Sequence, residues 1–349
     1  MATTEERLAA LEKQMAAWIA QQPTTYYTHK YSGEEIDDAV DKIRSGAGEG
    51  AVRYDQAQTL TPDQQDRARK NIGTTWPCNP NLLDNSHFSI WQRYKDGNYS
   101  GVPNGSYVAD RWIITSSNGN INSNLKKATS YGGIKNASGP NCRITQRLEN
   151  AAQYNGMTLT LSVLKNTGLH VATKIANGWT DTTDIFAVFS SAVAWLNAGE
   201  IWYAAKLELG PTQTLAHQEN GVWVLNEVPK VGDELRECQR YFWRLHSVEK
   251  NNYAIFAYGM KQSADQVRFV ITFPVTFRVA PVITANGKFL VSDGTTDYAV
   301  DSIDRQSFNG ESIVLVAKSS KISALPNGTC MRFGAFNDAG AYIDFSADL

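Results

Sequence analysis

Apolar positions near the start of the chain recur at helical spacing. Leu8, Leu11, Met15 and Trp18 follow one another at intervals of three, four and three, with Glu and Lys between them. That spacing predicts an amphipathic helix with a coiled-coil seam, and a helix of about 18 residues gains most from a partner. Two settings suit it: a short coiled coil that gathers several chains, or a single helix docked on its own domain. Thr3 and Glu6 make a capping box at its start, and Pro23 ends it. A second apolar face, Ile36, Ala39, Val40 and Ile43, follows a Ser32–Glu35 capping box and stops at Gly46–Gly50. A third short helix is framed by Thr61 as N-cap, Pro62 at its first turn and Gly73 past its end. Three short helices with few apolar contacts predict a jointed stalk: a coil over 1–22, a linker and short helix over 23–53, and a joint over 54–75.

Beyond residue 75 the period changes to two. Ile201, Tyr203, Ala205, Leu207 and Leu209 alternate with Trp202, Ala204, Lys206 and Glu208, which predicts a half-buried antiparallel strand. Further strands are expected over 142–149, 157–165 and 184–196, beside Asn155-Gly156, Asn177-Gly178 and Asn220-Gly221 turns. Residues 246–349 continue the style. The expected architecture is mainly β: one or two antiparallel sandwiches, divided as 76–237 and 238–349.

Composition sharpens that division. Apart from Asn71, every asparagine lies at or beyond residue 79, and aromatic residues crowd the same part. Across 349 residues, 33 basic and 35 acidic side chains leave a net charge of −2. Neither nucleic acid nor an anionic membrane is an expected partner for so balanced a chain. No apolar run reaches the roughly 18 residues of a membrane span, and the acidic first 20 residues do not resemble a secretory signal. Cys78, Cys142, Cys238 and Cys330 are scattered without a ligand spacing, so neither structural zinc nor a disulfide framework is expected.

Two stretches carry a family resemblance. Residues 54–73 are similar to a helical joint of bacteriophage and prophage tail fibres, matching it at Leu60, Thr61, Gln64, Ala68, Arg69, Asn71, Ile72 and Gly73. The strings NLLDNSHFSIWQRY (81–94), YVADRWIIT (107–115), AAKLELG (204–210) and GDELRECQRYFWRL (232–245) resemble that family's jelly-roll, carbohydrate-binding-like module. Phe242 stands where the family has a second Tyr. The resemblance implies a virion exterior appendage, made in the bacterial cytoplasm and assembled as a homo-oligomer, by family habit a trimer. Its implied partners are tail, baseplate or capsid proteins through the N-terminal segment.

Candidate chemistry is sparse. No phosphate-binding, dinucleotide, zinc-protease or nucleophile-elbow motif occurs, so no catalytic, cofactor or metal residue is proposed. Asp37, Asp38 and Asp41 lack the glycine and terminal glutamate of a calcium loop. Asp110-Arg111 is read as a structural ion pair. Sugar rings stack on aromatic faces while their hydroxyls need polar partners. Trp179, between Asn177 and Asp181 in a polar turn, is therefore the leading glycan-stacking candidate, with a lid on its own sandwich as the alternative. Trp223, after Asn220-Gly221, is second. Three functions follow: a fibre adhesin binding host-surface glycan weakly and multivalently, a structural head-fibre, collar or baseplate decoration without receptor binding, or a glycan depolymerase. The last wants a parallel β-helix repeat or a bracketed acid pair, and neither is visible.

Overall fold

The computed structural model describes residues 3–21, 33–44, 61, 64, 67–68, 78–94, 97–115, 123–189, 191–247 and 252–349. The chain divides into two compact units, Met1–Thr75 and Trp76–Leu349. In the first, α1 (Thr4–Gln21) and α2 (Gly33–Arg44) are helices. Thr3 N donates to Glu6 Oε2 at 2.8 Å, and Glu6 N donates to Thr3 Oγ1 at 3.3 Å. This reciprocal exchange satisfies donors that a helix start leaves open. Thr61 and Gln64 repeat it at 2.9 and 3.3 Å. Leu8, Leu11, Met15 and Trp18 are all between 60% and 64% exposed. The expected linker over 23–31, the glycine stop at 46–50 and most of the joint lie outside the described residues.

The second unit is mainly β, and its paired strands are antiparallel. Its first part contains β1 (Asn98–Tyr99), β2 (Ile113–Thr115), β3 (Asn124–Thr129), β4 (Gly132–Ser138), β5 (Cys142–Thr145), β6 (Thr158–Lys165), β7 (Gly168–Ile175), β8 (Trp195–Leu196) and β9 (Ile201–Leu209). A six-stranded sheet runs β1-β3-β4-β9-β6-β7, and a three-stranded sheet runs β2-β5-β8. Ile114 and Ile144 of the small sheet share one core with Leu161 and Leu207 of the large one. Phe88, Trp112, Phe186 and Trp202 form its aromatic centre, with Phe88–Trp112 at 4.6 Å and Phe186–Trp202 at 5.7 Å.

Two expectations fail here for physical reasons. Residues 184–196 are not one strand. They form two single-turn helices, α3 (Ile185–Val188) and α4 (Ser191–Ala194), before β8. Asp184 caps the first by accepting from Ala187 N at 3.0 Å. The alternation read along β9 also breaks. Leu164 pairs with Ala204 but Lys165 pairs with Trp202, so Tyr203 is an extra, bulged residue. Side chains change faces there: Trp202 enters the core with Ala205 and Leu207, while Tyr203 turns outward. Lys206 and Glu208, expected at the solvent face, are buried instead. A hairpin, β10 (Ala216–Glu219) and β11 (Val222–Leu225), supplies Leu215, Ala216 and Trp223 to a small cluster with Leu164 and Ala204. Its turn places Asn220 at φ 50° and Gly221 at φ 79°, the left-handed pair that a two-residue hairpin loop requires.

Helix α5 (Val231–Gln239) follows, and the expected 237/238 division falls inside it. Ten strands complete the unit: β12 (Phe242–His246), β13 (Ile255–Lys261), β14 (Gln266–Thr272), β15 (Val282–Asn286), β16 (Phe289–Ser292), β17 (Asp297–Ala299), β18 (Ser302–Phe308), β19 (Ser312–Lys318), β20 (Cys330–Ala335) and β21 (Tyr342–Ser346). A seven-stranded sheet, β17-β16-β20-β13-β14-β19-β18, and a three-stranded sheet, β12-β21-β15, contribute Phe269, Phe333, Ile343 and Phe345 to a second core.

The family-like strings meet in the seam between these cores. Asn85 Nδ2 donates to Ile90 O at 3.0 Å and Asp110 O at 2.9 Å, closing a loop of the first string onto the second. Gln92 Nε2 donates to Asp110 at 2.6 Å and to Phe242 O at 2.8 Å. Arg93 pairs with Asp348 and covers the Phe242 ring at 3.6 Å. Asp110 and Arg111 are buried, yet they do not pair with each other. Asp110 faces Arg93 at 3.6 Å, and Arg111 Nε donates to Asp84 at 2.8 Å. Buried charges persist only when paired in this way. Burial still pushes the Asp110 carboxyl up to about 6.

Candidate functional site

Trp179 is not a surface platform. It is 2% exposed, meets Phe189 edge-on at 6.3 Å and belongs to the first core. Its backbone is clamped by Asn155, which accepts from Trp179 N at 2.9 Å and donates to Trp179 O at 3.1 Å. Asp181 accepts from Ala151 N at 2.9 Å. The polar turn therefore serves the main chain while its indole, one of the largest apolar groups available, goes inward. Asn177 is exposed, and the buried indole removes the ring it was expected to flank. Trp223 lies on β11, half-buried against the cluster of Leu164, Ala204, Leu215 and Ala216.

A different site emerges around His87. Two adjoining cavities of about 420 and 460 Å³ share His87, Val228 and Pro229. The loop preceding His87 is fixed by Asn81, whose Oδ1 accepts from Leu83 N and Leu207 N, both at 3.1 Å. The β3–β4 hairpin approaches from the other side, where Gly133 N donates to His87 O at 2.7 Å. Gly132 makes this approach possible. Its φ is 149°, and a Cβ there would lie 2.3 Å from His87 O.

The second cavity has aromatic walls. Tyr131, at the hairpin tip, is 88% exposed, and Tyr203 is 38% exposed because the β9 bulge turns it outward. The first cavity is polar. Glu234 Oε2 accepts from Ser86 N at 3.0 Å, and burial with nearby Glu237 pushes its carboxyl up to about 7. Burial holds the His87 imidazole down to about 4, so it is neutral at physiological pH. Its Nδ1 lies 3.1 Å from Ser86 Oγ. Lys206, 2% exposed, stands 3.9 Å from Glu227. The groove thus combines exposed phenol rings with a fixed carboxyl group and a neutral imidazole, the chemistry that recognises hydroxylated ligands. No cluster of three or more potential metal ligands occurs among the described residues.

Sequence reasoning missed this groove because its walls come from residues 80–89, 127–133, 203–206 and 225–237. The one local signal was Gly132-Gly133 beside an exposed tyrosine. Comparison with protein-family models, with curated proteins and with solved structures finds no match to the chain.

Proposed function

We propose that the chain is a structural fibre or adhesin on the exterior of a bacteriophage or prophage particle. It oligomerises through the Leu8, Leu11, Met15 and Trp18 seam of α1 as a coiled coil, by family resemblance a trimer. Its N-terminal segment docks on other tail, baseplate or capsid proteins, and its β-rich unit, read as jelly-roll-like, binds host-surface glycan weakly. The observation that carries receptor binding is the groove flanked by the outward faces of Tyr131 and Tyr203 beside fixed polar groups. One ring stacked on one sugar face contributes about 1–2 kcal/mol, so two rings with the hydrogen bonds beside them reach about 4 kcal/mol, an affinity on the order of millimolar. Several linked copies raise this by effective concentration, which gives oligomerisation a purpose.

The test is Tyr131→Ala combined with Tyr203→Ala, assayed against host cells or their purified surface polysaccharide. Binding falls about tenfold or more with an unchanged melting temperature. Unaltered binding contradicts this placement of the site.

A further inference from the structure

We infer that Cys78 and Lys206 are a modification site, joined under oxidising conditions by a covalent bond between Cys78 Sγ and Lys206 Nζ. Lys206 is 2% exposed, and its Nζ lies 3.2 Å from Cys78 Sγ. Among the described residues, that sulfur is the one hydrogen-bond acceptor within reach of the amine, since the Glu227 carboxylate stands at 3.9 Å. Cys78 Sγ in turn donates to Glu227 Oε2 at 3.0 Å. A nucleophilic sulfur, a buried amine and a proton acceptor are thus held together by residues far apart in sequence. Cys78 and Cys330 are exposed, so a small oxidant reaches both, whereas Cys142 and Cys238 are buried; it is Cys78 whose sulfur meets the Lys206 amine.

The chemistry needs a peroxide, here hydrogen peroxide. The thiol proton leaves to Glu227, and the thiolate attacks one peroxide oxygen. The O–O bond breaks, and the departing hydroxide takes the thiol proton back from Glu227 and leaves as water, so that a sulfenic acid remains. The Lys206 amine, its extra proton lost to the same carboxylate, then attacks sulfur. The S–O bond breaks, an S–N bond forms, and a second water leaves with the proton shed by nitrogen. In sum, thiol, amine and peroxide become a sulfenamide and two waters: sulfur loses two electrons and peroxide gains them. Burial and the Glu227 hydrogen bond push the Cys78 thiol up, while Lys206 pulls the other way. The thiolate is therefore a minority species at neutral pH, and the reaction speeds up as pH rises. The bond ties the segment at the start of the second unit, which begins at Trp76, to the central strand β9.

The experiment treats the full chain with hydrogen peroxide at neutral and alkaline pH, blocks free thiols, and maps peptides by mass spectrometry without reductant. The expected product is a linked pair of peptides carrying Cys78 and Lys206, lighter than their sum by two hydrogen atoms. It forms faster at alkaline pH and is cleaved by dithiothreitol. Lys206→Arg keeps the charge beside Glu227 but removes the attacking amine, so the cross-link is lost and Cys78 proceeds to sulfinic acid. The wild-type map is decisive even where that variant folds poorly. Recovery of Lys206 as a free amine after Cys78 has been consumed overturns the inference.

Discussion

The guanidinium of Arg111 lies 3.5 Å from the ring centroid of Tyr241, while its Nε holds Asp84 at 2.8 Å. Arg111 comes from the ADRW string and Tyr241 from the CQRY string, so two sequence signatures meet as one cation–π contact. Tyr241 OH then donates to Glu149 at 2.9 Å, and Arg240 reaches the same carboxylate at 3.2 Å. The signatures thus describe contacts that join the parts of the unit carrying the two hydrophobic cores.

Removing that guanidinium strands Asp84. Arg111→Met lowers stability by on the order of 3 kcal/mol, because a partly buried carboxylate loses its ion pair. Denaturant titration measures this. A loss below about 1 kcal/mol, the value of a surface pair, shows that the seam is not stabilising.

Trp179→Ala behaves as a core truncation. Its indole packs against Phe189 inside the first core, so the change costs about 3–5 kcal/mol. A melting temperature within a degree or two of wild type restores the exposed-ring reading.

These two sites show what sequence carries and what it does not. The capping box at Thr3–Glu6, the N-cap at Thr61, the strands around 158–165 and 201–209, and the Asn220-Gly221 turn depend on neighbours within a few residues, and they were legible; the return bond from Gln64 was not part of that reading. The bulge at Tyr203 depends on pairing with β6, and it reversed a face of β9 that alternation had assigned. Trp179 sits in a polar turn whose polar groups bond the backbone, so local polarity said nothing about where the indole points. The groove was invisible because His87, Tyr131, Tyr203 and Glu234 meet only through the sheet order.

Glu234 makes a pH prediction. Its carboxyl is raised from 4.5 to about 7 in the fold. The unfolded chain ionises first, so this group withdraws stability as pH rises from 4.5 to 7, by up to about 3 kcal/mol. His87, lowered from 6.5 to about 4, acts oppositely and withdraws stability as pH falls through that window. Asp110, raised from 3.8 to about 6, acts in the same direction as Glu234. The clean readout is therefore a difference: Glu234→Gln gains on wild type as pH rises from 4.5 to 7. Parallel stability curves across that window contradict the buried-acid assignment.

The α1 seam makes a prediction about mass. Light scattering of the intact chain gives a trimer, and Leu11→Glu with Met15→Glu gives a monomer with the same melting transition for the β-rich unit. Charges at seam positions lose their apolar partners in the neighbouring helices. A monomeric wild-type chain removes the coiled coil, and a dimer changes only the count.

In the proposed adhesin, weak glycan sites act together because α1 gathers them. The direct measurement compares binding of wild type and the Leu11→Glu/Met15→Glu variant to the same host-cell surface over a range of concentrations. Both bind saturably, with half-saturation shifted upward about 100-fold or more in the variant, the gain expected from linking sites. Equal half-saturation for the two proteins, or no binding by either, contradicts it.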